Sequence, residues 1–237
     1  MTKHLIALVA GIMLGAAAAV ALLFYNPLAT ENGLSPVTVS ERDTISLGYS
    51  AVAKDSILYT NDGESRVYPS PESVQQLWEA PIRRTSVQVT MLTDSRDNPA
   101  GIGVKFMSES ERTRLINGEA LLDSAWHIHL PGRGRLFVEQ TENYWNYLRH
   151  IVVPAYLSSG DNWRGTWIGR ITAGPGSLGT ALVSGGSGEF AGLESEADES
   201  MSARAYSLAD GPVALDGRLT IEVNERGEVQ AADTADR

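Results

Sequence analysis

Residues 5–25 constrain this chain more than any other stretch: they are uncharged throughout and follow Met1-Thr2-Lys3-His4. At about 1.5 Å per residue, a helix of that length rises about 30 Å, the thickness of a bilayer's hydrocarbon core. Two readings compete. A cleaved secretory signal has a shorter apolar region and small residues at its cleavage site. Here the run ends on bulky Leu22, Leu23, Phe24 and Tyr25, and Pro27 then stops a helix. An uncleaved anchor is therefore the expectation. Lys3 is the only lysine or arginine before Arg42, so the positive-inside rule puts the N-terminus in the cytoplasm and the body outside it. This describes a single-pass protein of a bacterial inner membrane with a periplasmic body. Ala7, Gly11, Gly15 and Ala19 recur every four residues. Such a stripe lets a second transmembrane helix, or the same helix of a second copy, approach closely.

The chain then divides into an anchor (1–27), a linker rich in Pro, Thr and Asn (28–42), a β-rich domain (43–224) and a flexible acidic tail (225–237). The net charge of −10 is unsuited to binding nucleic acid. The absence of cysteine excludes disulfides, thiolate metal sites and a cysteine nucleophile.

Alternation of period two predicts strands at 44–49, 86–93, 101–107, 163–172, 177–183, 201–206 and 213–223. In the third of these, Ile102, Val104 and Phe106 share one face. Residues 126–130 and 135–140 read as a hairpin around Pro131-Gly132-Arg133-Gly134. Short helices are expected at 69–78 (Val74, Leu77 and Trp78 on one face), at 108–117 with Gly118 as terminator, and from Glu142 to just before Pro154. Many short strands at about ten-residue spacing suggest a closed antiparallel barrel or a sandwich.

The string Gly185-Gly186-Ser187-Gly188-Glu189-Phe190-Ala191-Gly192 is too close to Glu194, Glu196, Asp198 and Glu199 to cradle a phosphate. It resembles the Gly-Gly-Ser/Thr-Gly-x-Phe/Tyr-x-Gly pattern of the allene oxide cyclase and dirigent-like barrels. There the pattern joins two strands of an eight-stranded antiparallel barrel. The resemblance spans about residues 165–223 and implies a mainly β, calycin/dirigent-like barrel with a few short helices. It carries no catalytic residue. In that family the cyclases isomerise a fatty-acid epoxide and the dirigent proteins orient phenoxy radicals.

His127 and His129 are two apart on a strand, so both imidazoles point to one face. A five-residue loop would set His127 opposite Glu139 and make a divalent-metal cluster of His127, His129 and Glu139 conceivable. A four-residue turn would set His129 opposite Leu136, leaving the histidines on a solvated face. Arg133 and Arg135 at the hairpin tip would grip an anionic group. With Trp126, Tyr144 and Trp145 they form a candidate ligand-binding set. Trp163 and Trp167 share a face of one strand. No Gly-x-Ser-x-Gly stands in a strand-to-helix context.

The expected role is non-enzymatic: binding an apolar or amphipathic small molecule in the barrel, or serving as an accessory subunit of a membrane complex, with no cofactor beyond a possible divalent metal. The alternative is a barrel isomerase or cyclase, or a metal-dependent enzyme built on the His127-x-His129 hairpin.

Overall fold

The computed structural model describes residues 2–25, 43–52, 57–59, 65–67, 76–79 and 82–223. The expected linker, the acidic tail and most of the expected helix at 69–78 lie outside the described residues. Helix α1 (Thr2–Tyr25) is continuous over 24 residues, with no acidic residue in its first turn and no basic residue in its last. Its side chains are described at His4 and at 6–21, and all are exposed. A Cβ placed on Gly11 or Gly15 meets nothing within 4 Å. Among the described residues no helix is long and apolar enough to cross a membrane.

The rest is mainly antiparallel sheet. Its strands are β1 (Asp43–Ser50), β2 (Ile57–Tyr59), β3 (Ser65–Val67), β4 (Gln76–Glu79), β5 (Ile82–Thr93), β6 (Pro99–Glu109) and β7 (Leu121–Leu130). They continue with β8 (Gly134–Asn143), β9 (Asn162–Arg170), β10 (Thr172–Gly174), β11 (Ala181–Gly188), β12 (Glu194–Ser207) and β13 (Gly211–Val223). Pairing runs β1–β13–β12–β11–β8–β7–β6–β5 and returns from β5 to β1, so eight strands form a closed circuit. The return is narrow. Among the described residues only Gly48 and Thr93 pair in the ladder, supported by Thr93 Oγ1 donating to Gly48 O (3.3 Å) and Gln88 Nε2 donating to Ser50 O (3.0 Å). Gly48 permits this approach, since an added Cβ would lie 2.8 Å from Thr93 Oγ1.

The slot between β8 and β12 is filled in two parts. β11 occupies one end. At the other end β9 pairs with β12 and β10 pairs with β8. Ile171 between them donates its N–H to Glu199 O (2.9 Å) and accepts from Asn143 N (2.7 Å).

An eight-stranded closed sheet is just wide enough inside for its own side chains. Two apolar clusters fill this one. The first contains Leu47, Tyr49, Trp126, Leu136, Phe190 and Ile221. The second contains Val52, Tyr147, Ile151, Ile171, Met201 and Leu215, with Trp163 and Trp167 packed against it. The same strands feed both: β12 gives Ala197 to the first and Met201 to the second, and β13 gives Leu219 and then Leu215. Residue 199 on β12 falls between the two.

Helical residues 145–157 bury Tyr147, Ile151 and Ala155 at the second cluster. Asn143 fixes their start: its Oδ1 accepts from Trp145 N (2.9 Å) and from Ala120 N (3.1 Å). The helix does not end before Pro154, as proline's missing N–H suggests it should. Leu148–Val152 is π-helical, and this places Pro154 in the first turn of the α-helical stretch Val153–Leu157, where no N–H is needed. Two other expected helices also differ. Residues Gln76–Glu79 are a strand paired with β5. Of 108–117 only Leu115–Asn117 is helical, a 3₁₀ turn closed by Gly118 at φ 75°.

The glycine-rich string joins β11 to β12 and marks where three backbones converge. Gly185 N donates to Leu193 O (2.8 Å), and Glu189 N donates to Arg133 O (2.7 Å). The β11–β8 register shifts between Gly185 and Ser187. A methyl on Gly185 would collide with the Phe190 carbonyl. Gly185→Ala is therefore expected to cost about 1–3 kcal/mol, the range for overpacking a filled site. The measurement is a lower urea midpoint at unchanged slope. An unchanged midpoint would show that the carbonyl moves aside freely.

Candidate functional site

Of the sequence-predicted residues, Trp126, His127 and Glu139 line one groove, and the others lie elsewhere. The β7–β8 loop has three residues, Pro131, Gly132 and Arg133, so the register is one that neither expected loop gives. His127 faces Phe137, His129 faces Arg135, and Glu139 faces Ala125. Both histidines and Glu139 point outward and are exposed. His127 packs edge-on between Phe106 (5.5 Å between centroids) and Phe137 (4.9 Å). Among the described residues no group of three or more His, Asp or Glu is placed to hold a metal.

Arg133 pairs with Glu189 across the hairpin tip (2.8 Å), and its guanidinium lies 5.2 Å above the Phe190 ring. Arg135 is exposed on the outer face. Trp126 is buried in the first core cluster, and Trp145 is buried at the start of the helix. Tyr144 points inward, donating its hydroxyl to Glu142 Oε2 (2.7 Å).

That last contact belongs to a site the sequence did not reveal. Between the two apolar clusters lies a polar layer made by β1, β6, β7, β8, β10 and β12. Lys105 Nζ bridges Glu142 Oε1 (2.8 Å) and Glu199 Oε1 (2.7 Å). Glu199 also accepts from the Tyr49 hydroxyl, Trp126 Nε1 (3.1 Å) and Gln140 Nε2. Glu142 accepts from Ser124 Oγ and from Gln140 Nε2 (2.9 Å). Thr172 Oγ1 donates to Gln140 Oε1 (3.0 Å) and accepts from Glu199 N (2.7 Å). The ammonium lies 5.1 Å from the Trp126 ring centroid and 5.9 Å from that of Tyr49, within cation–π range.

Burial acts on every ionisable group here, and the partners decide the outcome. Burial, opposed by the charge of Lys105 and reinforced by that of Glu199, leaves Glu142 above the ordinary carboxylate range. Burial acts upward on Glu199 as well. The Lys105 charge and the hydrogen bonds from Lys105, Tyr49 and Trp126 outweigh it and hold Glu199 low. Burial alone would lower Lys105, but the two carboxylates keep it above the usual lysine value. Tyr49 and Tyr144 are pushed well up, by burial first and then by the nearby carboxylates. The two tyrosines therefore act as neutral donors.

On β6 the shared apolar face of Ile102, Val104 and Phe106 is not the inner one. Ile102 and Phe106 are exposed, while Gly103 and Lys105 are the buried residues. Lys105, one of three lysines in a chain whose other basic residues are arginines, stands at the centre of an apolar alternation, and that was the available signal.

The outward apolar face is itself concave. A groove of about 840 Å³ crosses β6, β7, β8 and β11, with Phe106, His127, Phe137 and Leu182 along it. Its rim is polar. Arg112 Nη2 bonds Asp123 Oδ1 (2.9 Å) and Thr141 Oγ1 (2.6 Å) at one side, and Glu139 lines another part. An apolar floor with a few polar groups at the edge is the usual composition of a small-molecule site. Among known proteins, no family model matches the chain and no curated protein is significantly similar to it.

Proposed function

We propose that this protein is a membrane-tethered, extracytoplasmic domain of calycin/dirigent-like barrel type that binds an apolar or amphipathic small molecule in the outward groove on β6, β7, β8 and β11. The observation that carries the reading is the groove itself: exposed Phe106, Phe137 and Leu182 around a concavity of about 840 Å³, with a charged rim. Soluble domains rarely leave a contiguous apolar surface open without a use for it. The barrel interior is not the binding volume in this reading, because the two apolar clusters and the polar layer occupy it. Tethering rests on the sequence, with residues 5–25 uncharged and Lys3 ahead of them.

The test is photolabelling of the full chain with a diazirine-bearing alkyl carboxylate, followed by peptide mapping. Label is expected on the peptides that carry Phe106, His127, Phe137 and Leu182. Phe137→Asp should lower it about tenfold or more, since burying an aromatic ring against a ligand contributes about 1.5–3 kcal/mol. Labelling spread evenly over the outer surface, or unchanged in Phe137→Asp, would remove the groove as the site.

A further inference from the structure

Three ionisable side chains meet where water does not reach. Lys105, Glu142 and Glu199 are each at most 1 % exposed. In their ordinary charge states they carry two negative charges and one positive. Among the described residues, the salt bridges of both carboxylates go to Lys105 alone. Every other described group facing them is neutral: Tyr49 from β1, Ser124 and Trp126 from β7, Gln140 from β8 with Tyr144 just after it, and Thr172 from β10. The helical segment adds only Tyr147, ring against ring with Tyr144 at 6.2 Å. A surplus buried charge is costly, and a carboxyl relieves it most cheaply by taking up a proton.

We propose that Lys105, Glu142 and Glu199 form a one-proton binding site, in which charge balance inside the closed sheet holds a single proton on the carboxylate pair, seated on Glu142. The geometry separates the two carboxyls. Glu199 gathers donors on both oxygens: Lys105 and Tyr49 on Oε1, Trp126 and Gln140 on Oε2. That environment suits an anion. Glu142 crowds Lys105, Ser124 and Gln140 onto Oε1, while among the described residues its Oε2 meets a single group, the Tyr144 hydroxyl. A phenol oxygen accepts as well as donates, so when Oε2 carries the proton the Tyr144 hydroxyl turns from donor to acceptor in this bond. The directions in which burial and neighbouring charge move the two carboxyls agree with this assignment.

The experiment is infrared spectroscopy of the full chain at pH 7, read at the carbonyl stretch of protonated carboxyl groups. Ionised surface acids are silent there. The wild type should show one such carboxyl. Glu142→Gln should show none. Glu199→Gln should also show none, because Lys105 then balances Glu142 one to one. Lys105→Met should show two. A wild-type spectrum without the band overturns the proposal, whatever the variants do. A band that persists in Glu142→Gln places the proton elsewhere and overturns the seat. A band that persists in Glu199→Gln shows burial acting without charge balance and overturns the mechanism. If Lys105→Met does not fold, the other three spectra still decide.

Discussion

Lys105→Met is expected to destabilise the folded chain by about 3–5 kcal/mol at pH 7, the cost of removing one partner from a buried ion pair. The measurement is urea unfolding followed by tryptophan fluorescence. Methionine fills the lysine stem's volume, so the loss reports the missing ammonium rather than a cavity. The missing cation leaves Glu142 and Glu199 facing each other within the polar layer. Both carboxyls then have raised values in the folded state. A raised carboxyl stabilises below its unfolded value and loses that contribution as pH rises through its folded one. The deficit of Lys105→Met should therefore shrink as the pH is lowered. The wild type differs through Glu199, whose value is held low: its contribution is present above the ordinary glutamate range and is lost as pH falls through the folded value. A Lys105→Met loss below about 1 kcal/mol, or a deficit that grows in acid, would show that the carboxylates are not dependent on this cation.

The need for such a layer follows from closure. Strands that run the length of a filled interior must place a side chain inward every second residue. Where β6, β8 and β12 cross the middle, those residues are Lys105, Glu142 and Glu199. Isolated, each would be expensive to bury. Together, with Tyr49, Trp126, Gln140 and Thr172 around them, their hydrogen-bonding capacity is met. Two glycines make room for the large rings that complete the layer. A Cβ on Gly217 would run into the Tyr49 ring, and one on Gly103 would lie 2.7 Å from Trp126 Cζ3. Selection of a unique strand arrangement by buried polar partners is attested elsewhere. Here the network joins β1, which closes the circuit through a single ladder pair, to β12 and β6.

Strand positions were legible because alternation is local. Residues 44–49, 86–93 and 101–107 all fall within strands. The direction each face takes was not legible. Period two defines two faces equally well, and on β6 the apolar one lines a groove while the inner one carries Lys105. Register depended on the length of the β7–β8 loop: three residues rather than five moved His127 from Glu139 to Phe137. The polar layer had one local hint, Lys105 within an apolar alternation, and none that pointed to its partners. Its three charges lie on β6, β8 and β12, far apart in the chain, and only closure of the sheet brings them together. The helix through Pro154 escaped for a different reason: a π-helical turn shifts the proline to a position where it is harmless.

Trp126 separates the packed interior from a binding role most sharply. Its side chain is 1 % exposed, its ring meets Tyr49 edge-on at 4.9 Å, and its N–H reaches Glu199 Oε2. Trp126→Ala should cost about 3–5 kcal/mol, combining lost burial with the cavity left in the first apolar cluster. Trp126→Phe keeps most of the ring and removes the donor. Its expected cost is smaller, about 1.5–3 kcal/mol, the range for a hydrogen bond to a charged group. Differential unfolding of the two variants measures both terms. Photolabelling of the groove should be unchanged in Trp126→Phe: Trp126 is among the residues that line the groove, but it is buried and its side chain faces the opposite side of β7 from His127. A stable Trp126→Ala that loses the label would instead make Trp126 a ligand contact and reverse the assignment of inside and outside on this strand.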